Sequence, residues 1–400
     1  MQPLVDGPIP FPTPDVENRQ PPVREEVELT MRSVATAVAP GGHPSGLTPV
    51  QRAVLNALVE SMTGVVVEAT AGEPVGPDEF GESMRYRSAE FRIRMVQMML
   101  LAELLLVPLP PDVPERVEGY AKRLGVCDQL MHVARRLSHG SLGLALIDFQ
   151  RSGYFRKIVE RPPDHLHTTT ALTDAWQRAC HDPDLRARWA ALARCPEGSL
   201  GQGVWRFYTA RGFTFPGDRE SAPPMLAQHD WVHVLADYGS TVECEIEVFG
   251  LISRCNDDPG AFSLLAMVLG LFETGYFFDA ANGFFEYDRG HISRDPEHMA
   301  TRLADAMYRG AKLAWHLDDH GRSDETDLLA TDWFAYADSP IDDVRADLGL
   351  LPKSLHAIEC GSVSPWEAGG MSPFQYAHGQ ELAALEGRLY DSFGASPTVA

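Results

Sequence analysis

The sequence predicts an all-α protein. Apolar residues recur at helical spacing in most long segments, and start and stop residues bracket those segments. No two runs read as a convincing pair of strands, and no internal repeat is found. The 400 residues exceed what one small core needs, and the pattern divides them into two helical modules with looser ends. Residues 1–44, rich in proline, glycine and polar groups, are expected to form a mostly disordered arm.

The first module spans 45–140. It opens with "LTPVQRAVLNALVESM", where Thr48 can cap, Pro49 suits a first turn, and Val54, Leu55, Leu58 and Met62 form a stripe. "SAEFRIRMVQMMLLAELLLV" is a second helix, and "PPDVPERVEGYAKRLGV" a third that ends at Gly125. "CDQLMHVARRLSHGSLGLALIDFQRS" supplies one or two more. The second module, 141–350, reads as a helical bundle. "RPPDH" precedes "TALTDAWQRACHDPDLRARWAAL", in which the His181-Asp182 pair sits at a helix start and reads as a capping turn. Then follow "CPEGSLGQGVWRFYTARGFTFPGD", the helices around "HDWVHVLADYGSTVECEIE", and the apolar run 261–278. "DPEHMATRLADAMYRGAKLAWHL" forms a long amphipathic helix, and a short helix after Pro340 closes the module. Residues 351–400 return to glycine, serine and proline and are expected to be a loosely packed tail.

The net charge of −22 is spread along the chain and opposes nucleic-acid binding, which needs concentrated Lys and Arg. It equally disfavours electrostatic attachment to anionic lipid. Six scattered cysteines without a C-x-x-C pair fit buried thiols in a reducing compartment. The opening residues lack the basic head and apolar run of a signal peptide, and no apolar stretch reaches the length of a spanning helix. A cytoplasmic protein with at most peripheral membrane contact is the expectation, and a homodimer is compatible with it.

The chemistry concentrates in "HDWVHVLADYGSTVECEIE". His229 and His233, one helical turn apart, stack on one face, with Asp230 on the neighbouring arc. Gly239 is expected to stop this helix, and Ser240 or Thr241 to cap the next, with Ser240 and Glu243 spaced as a capping box. The break lets the second helix fold back towards the histidines. On it Val242, Glu245, Ile246, Phe249 and Ile252 share an apolar stripe, whereas Glu243 and Glu247 share another face and are expected to be solvated. A carboxylate in an apolar stripe needs a compensating cation or donor, which singles out Glu245. An arginine elsewhere could supply it as a salt bridge. Two imidazoles with one or two carboxylates suit Zn²⁺, Mn²⁺ or Fe²⁺. The lack of thiolates favours a site with an open position over a structural zinc knot.

The spacing His229-Asp230-x-x-His233, eleven residues, then Glu245 resembles the H-D-x-x-H-x(11)-E signature of the coenzyme Q biosynthesis protein four family. "PEGSLGQGVWRFYTARGFTF" and "DLLATDWFAYADSPIDDVRADLGL" are similar to the segments that flank that signature, so the likeness covers about 145–350. It implies an all-helical fold and a divalent metal, usually zinc, on His229, Asp230, His233 and Glu245. It also implies a hydrophobic cavity for a prenylated quinone precursor, oxidative decarboxylation at ring carbon one, and scaffolding of a biosynthetic complex with partner proteins on a membrane. Residues 45–140 more loosely resemble tellurite-resistance B-like helical domains.

Three functions follow as expectations. In the first, a metal-dependent enzyme polarises the carboxylate or phenolic oxygen of an aromatic acid or related metabolite. His229, His233 and Glu245 are then ligands, and Asp230 is a fourth ligand or orients an imidazole. Without a flavin or nicotinamide fingerprint, oxidation draws on dioxygen or a redox partner. In the second, a lipid-binding scaffold carries a structural metal, with the run 261–278 lining a prenyl tunnel; core packing is the simpler reading for Leu264, Met267, Leu271 and Phe272. In the third, an interaction protein is defined by the first module. Loop polarity accounts for His165 and His167, a solvated helix end for His316 and His320, and core packing for Phe277, Phe278, Phe284 and Phe285.

Overall fold

The computed structural model describes residues 23–141, 145, 163–169, 181–219, 221–276 and 289–397. The aromatic residues Phe277, Phe278, Phe284 and Phe285, Cys180 and the first 22 residues lie outside these. Among the described residues the regular structure is helical, with two isolated bridges, Ser199 to Pro340 and Ala368 to Ser396. The all-α expectation holds. No helix is long and apolar enough to cross a membrane, among the described residues.

The chain folds as two compact units, each assembled from non-consecutive segments, where the sequence reading cut it into consecutive pieces. The first draws its described residues from Met1–Arg156, Phe249–Trp315 and Ser354–Cys360. It contains α1 (Arg24–Val38), α2 (Pro49–Thr63), α3 (Pro77–Ser83), α4 (Ala89–Glu103), α5 (Asp112–Leu124) and α6 (Leu130–Ser138). Thr48 caps α2 as expected, its hydroxyl accepting from Gln51 N at 3.2 Å, and Gly125 ends α5 at φ 69°. Every residue from Met95 to Glu103 is buried, so α4 is apolar nearly all round and forms the centre of the unit, packed by α1, α2, α5 and α6. Helix α1 corrects the expectation of a disordered arm. Val27, Met31, Val34 and Val38 recur at helical spacing and are buried, a stripe that the surrounding prolines and glycines masked. A small apolar cleft between α1, α2 and α4 is lined by Val27, Val59, Met62 and Met95.

The second unit draws on Lys157–Val248, His316–Lys353 and Gly361–Ala400. It holds α7 (Pro183–Ala191), α8 (Leu200–Arg211) and α9 (Gln228–Ala236), and the start of α10 (Val242–Cys255). The later part of α10, α11 (Phe262–Phe272) and most of α12 (Pro296–Asp319) count with the first unit. There Leu264, Met267 and Phe272 are buried core, while Leu271 is half-buried. Asp182 caps α7 by accepting from Leu185 N at 3.0 Å, which confirms the capping reading of the His181-Asp182 pair.

In the second unit α8 and α9 cross closely, because a Cβ on Gly203 would stand only 2.8 Å from Val234. The N-terminus of α8 is tied to the closing segment by Leu200 N to Ser339 O at 2.9 Å and Gly201 N to Ala337 O at 2.8 Å. Trp189, Trp231 and Phe334 pack as an aromatic cluster with ring centres 5.2 to 5.7 Å apart. Helix α13 (Ile341–Asp347) brings Arg345 against the C-terminal carbonyls of α9, with Nε donating to Leu235 O at 2.7 Å. The segment read as a loose tail is built into this unit. Helix α15 (Pro373–Leu385) packs on α8, and Met371 and Ala395 are buried against Ala210. Helix α14 (Leu355–Glu359), from the same stretch, counts with the first unit.

Candidate metal centre

Helix α9 is buried along its whole length and carries His229, Asp230 and His233 inward. It ends at Asp237, whose left-handed φ of 64° reverses the chain; Gly239, the expected stop, serves another purpose. A Cβ on Gly239 would stand 2.8 Å from Cα and O of Gly370, so only glycine lets these two backbones meet. Gly239 N donates to Val363 O at 3.0 Å and Ser240 N to Gly370 O at 2.9 Å. The Ser240 hydroxyl accepts from Arg211 Nε at 2.5 Å and donates to Gln375 Oε1 at 2.8 Å, so it is engaged with these two side chains.

The turn returns the chain so that α10 presents Glu245 to both histidines. Glu245 Oε2 lies 3.3 Å from His229 Nε2, and Oε1 lies 3.2 Å from His233 Nε2. One ligand atom from each of His229, His233 and Glu245 falls within 4.8 Å of the others, a group able to hold a metal ion. Both imidazoles are oriented by the backbone. His229 Nδ1 donates to Leu226 O, and His233 Nδ1 donates to Gly239 O at 2.6 Å. With Nδ1 carrying the proton, Nε2 is the lone-pair atom of each neutral ring, as a metal ligand requires. Buried His233 Nε2 makes no hydrogen bond despite the nearby carboxylate. Such an orphaned acceptor fits a cation, and so does the donor set.

The electrostatics call for positive charge. Burial alone would lower the His229 imidazolium, but the Asp230 and Glu245 carboxylates outweigh it and push it up to about 9. Burial would raise Glu245, yet the His233 and His229 rings hold it far below the usual carboxylate range. Asp230 is raised by burial, against the pull of His229 and His233. His233 is fully sealed, and His229, Asp230 and Glu245 are buried too, with 6 to 8% of their surface left.

Of the four residues expected as ligands, the structure brings three together. Asp230 stands beside them, its Oδ1 3.5 Å from His229 Nε2, and outside the group of three. Glu243 is half-buried, but Glu247 is fully buried, which overturns its reading as a solvated residue: at this point α10 is enclosed on more than one face. His167 Nε2 pairs with Asp332 Oδ1 at 2.7 Å, and the tilted rings of His316 and His320 lie 4.2 Å apart on the end of α12 with exposed flanks; none of these belongs to the group.

Several supporting residues had no local signal. The Phe207 ring stacks on His233 at 5.4 Å, and the guanidinium of Arg211 lies 3.9 Å from its ring centre. Arg211 is fully buried and donates to Gly370 O at 2.8 Å and Pro365 O at 3.0 Å. Burial lowers it to about 9, with nearby acidic groups opposing. Tyr208 donates to Asp230 Oδ2 at 2.5 Å. Phe207 and Arg211 share a face of α8 by their spacing, and an arginine on an apolar helix face was the available clue.

No family model matches the chain, and no curated protein matches it. Among solved structures, a protein from Nostoc punctiforme provisionally named for ubiquinone biosynthesis aligns at 16% identity. The alignment covers 65% of this chain and 97% of that one, with a TM-score of 0.27. At that score the likeness carries no argument about this chain.

Proposed function

We propose that the chain is a divalent-metal protein of quinone-type metabolism, acting on a hydrophobic aromatic acid or prenylated precursor. The observation that carries the metal reading is the orphaned Nε2 of His233, held 3.2 Å from Glu245 with its other nitrogen committed to Gly239 O. The substrate class rests on the likeness of the His229-Asp230-x-x-His233-x(11)-Glu245 pattern to the coenzyme Q family signature.

His229, His233 and Glu245 would hold the ion, zinc first and manganese or iron next by ligand type. Bound there, it would supply Lewis-acid polarisation of a substrate carboxylate or phenolic oxygen, lowering the cost of negative charge as carbon dioxide leaves. The chain's own residues do the rest. Phe207 closes the site behind His233, and the two backbone carbonyls fix the imidazole planes.

Elemental analysis of the purified protein tests the site. About one metal per chain is expected for the wild type and for Glu243→Ala, and a large loss for Glu245→Ala. Loss on Glu243→Ala with retention on Glu245→Ala would refute the assignment. Carbon dioxide release from prenylated and unprenylated aromatic acids, with and without a chelator, tests the chemistry. Metal and prenyl-lipid binding without turnover would favour the alternative, a scaffold that organises a biosynthetic complex around a structural metal.

A further inference from the structure

The likeness to the family signature ends near residue 350, yet the contacts that hold the turn of the metal centre come from beyond it. Gln375, on α15, grips Ser240 twice: Nε2 donates to Ser240 O at 2.9 Å, and Oε1 accepts from the Ser240 hydroxyl at 2.8 Å. Arg211 completes the grip. Its Nε donates to the same hydroxyl oxygen at 2.5 Å, and its Nη2 reaches Gly370 O at 2.8 Å and Pro365 O at 3.0 Å. These acceptors are all neutral, although a buried guanidinium usually meets a carboxylate. The side chain therefore works as a rigid fork that joins α8, the 239–240 turn and the 365–370 loop. Gly239 N on Val363 O at 3.0 Å and Ser240 N on Gly370 O at 2.9 Å tie the backbone of the turn to the same segment.

Two routes lead from this grip to His233. Along the backbone, the clamped turn holds Gly239 O where His233 Nδ1 donates to it at 2.6 Å. Through the rings, the Arg211 guanidinium lies 3.9 Å from the centre of Phe207, whose ring stacks on His233 at 5.4 Å. We propose that segment 363–375 is a built-in part of the metal centre, and that Gln375 and Arg211 are positioning residues that transmit its hold to the His233 ring. The consequence for metal affinity rests on the metal reading above; the orientation of the ring rests on the hydrogen bonds and ring contacts alone. An imidazole fixed before an ion arrives loses less freedom on ligation, so the hold is expressed as affinity.

The test uses the full chain with two readouts. One is Co²⁺ affinity by competition with a chelator; the other is solvent exchange of the His233 Nδ1 proton in the metal-free protein, by histidine-labelled NMR. Gln375→Ala leaves the Ser372 hydroxyl capping α15 through the backbone N–H of residue 375 at 3.2 Å, so the helix start survives. It should weaken Co²⁺ binding about tenfold and speed the exchange by a similar factor. Arg211→Met should weaken binding further, and so should Arg211→Lys, which keeps the charge and loses the fork. Phe374→Ala removes an exposed ring that stacks on His378 and should change neither readout. Asp182→Ala, which loosens the same unit at the start of α7, should leave Co²⁺ affinity unchanged, as Gln375→Ala would if its role were merely structural. Circular dichroism checks folding, and Gln375→Ala decides the proposal if the arginine variants fail to fold. Wild-type affinity and exchange in Gln375→Ala would overturn the proposal, and wild-type affinity in Arg211→Lys would overturn the part given to the fork. If the wild type binds no Co²⁺ the metal reading fails, while exchange at His233 still decides the positioning.

Discussion

Replacing Gly239 with alanine should damage the metal centre without touching a ligand. The added Cβ would stand 2.8 Å from both Cα and O of Gly370. Carbon contacts prefer about 3.5 Å or more, so the two backbones must separate by roughly 0.7 Å. The Gly370 turn is itself closely packed, since a Cβ built on it would meet Ser364 O at 2.3 Å. Overpacking of this kind costs about 1–3 kcal/mol. The displaced group is the carbonyl that accepts from His233 Nδ1 at 2.6 Å, so part of the cost appears as lost orientation of that imidazole. Disturbing such an outer partner lowers metal affinity by about 10–100-fold. Urea unfolding of the metal-free protein gives the first quantity, and competition with a fluorescent chelator gives the second. Wild-type metal affinity in a variant destabilised by the expected amount would refute the claim that Gly239 positions His233.

Further outcomes follow from the same structure. Glu103 is fully buried, neither carboxyl oxygen has a hydrogen bond, and burial raises it well above its usual range, with Glu118 adding and Arg116 opposing. A raised folded-state value stabilises fully below the unfolded value and is lost as pH climbs through the folded one. Glu103→Gln should therefore gain about 1–3 kcal/mol over wild type between about pH 5 and pH 8, read from denaturant midpoints; an equal difference at both pH values would refute this. Asp182 has the opposite sign. Burial tends to raise it, but backbone donors at Leu185 and Thr169 win and lower it, so its stabilisation holds above the unfolded value and fades as pH falls. Asp182→Ala should cost about 1 kcal/mol near neutrality and little near pH 2, as thermal melts at the two pH values would show. Arg345→Ala removes donors to Leu235 O and Val234 O at the end of α9 and should cost about 1–2 kcal/mol, with faster amide exchange at the C-terminal end of that helix.

Local signals carried most of what was legible in the sequence. The Thr48 cap, the Gly125 stop and the Asp182 turn each involve residues within four positions, and all three stand in the structure. Glu245 was legible for a related reason: a carboxylate on an apolar stripe needs a partner, and the turn supplied two. Contacts distant in sequence left weaker traces. Composition hid α1 because proline and glycine around it outweigh four well-spaced apolar residues. It hid the packing of 361–397 because those residues contribute backbone carbonyls and close glycine contacts more than apolar side chains. Periodicity placed Glu247 in solvent because it assumes one buried face, and α10 is enclosed on more than one. A glycine was taken as a helix stop when its true constraint is another backbone, while Asp237 took the left-handed turn, a conformation its short polar side chain tolerates.

The closeness of Gly239 and Gly370 also orders events during synthesis. Ser240 and Gly370 are 130 residues apart, and at the usual rate of translation the ribosome takes roughly 10 s to cover that distance. For nearly all of that interval every ligand has been made, yet the strap that fixes the Gly239 carbonyl does not exist. A nascent or prematurely ended chain thus carries the complete signature without a finished coordination cage. Cation capture becomes a late step, and a report on whether the last segment has docked.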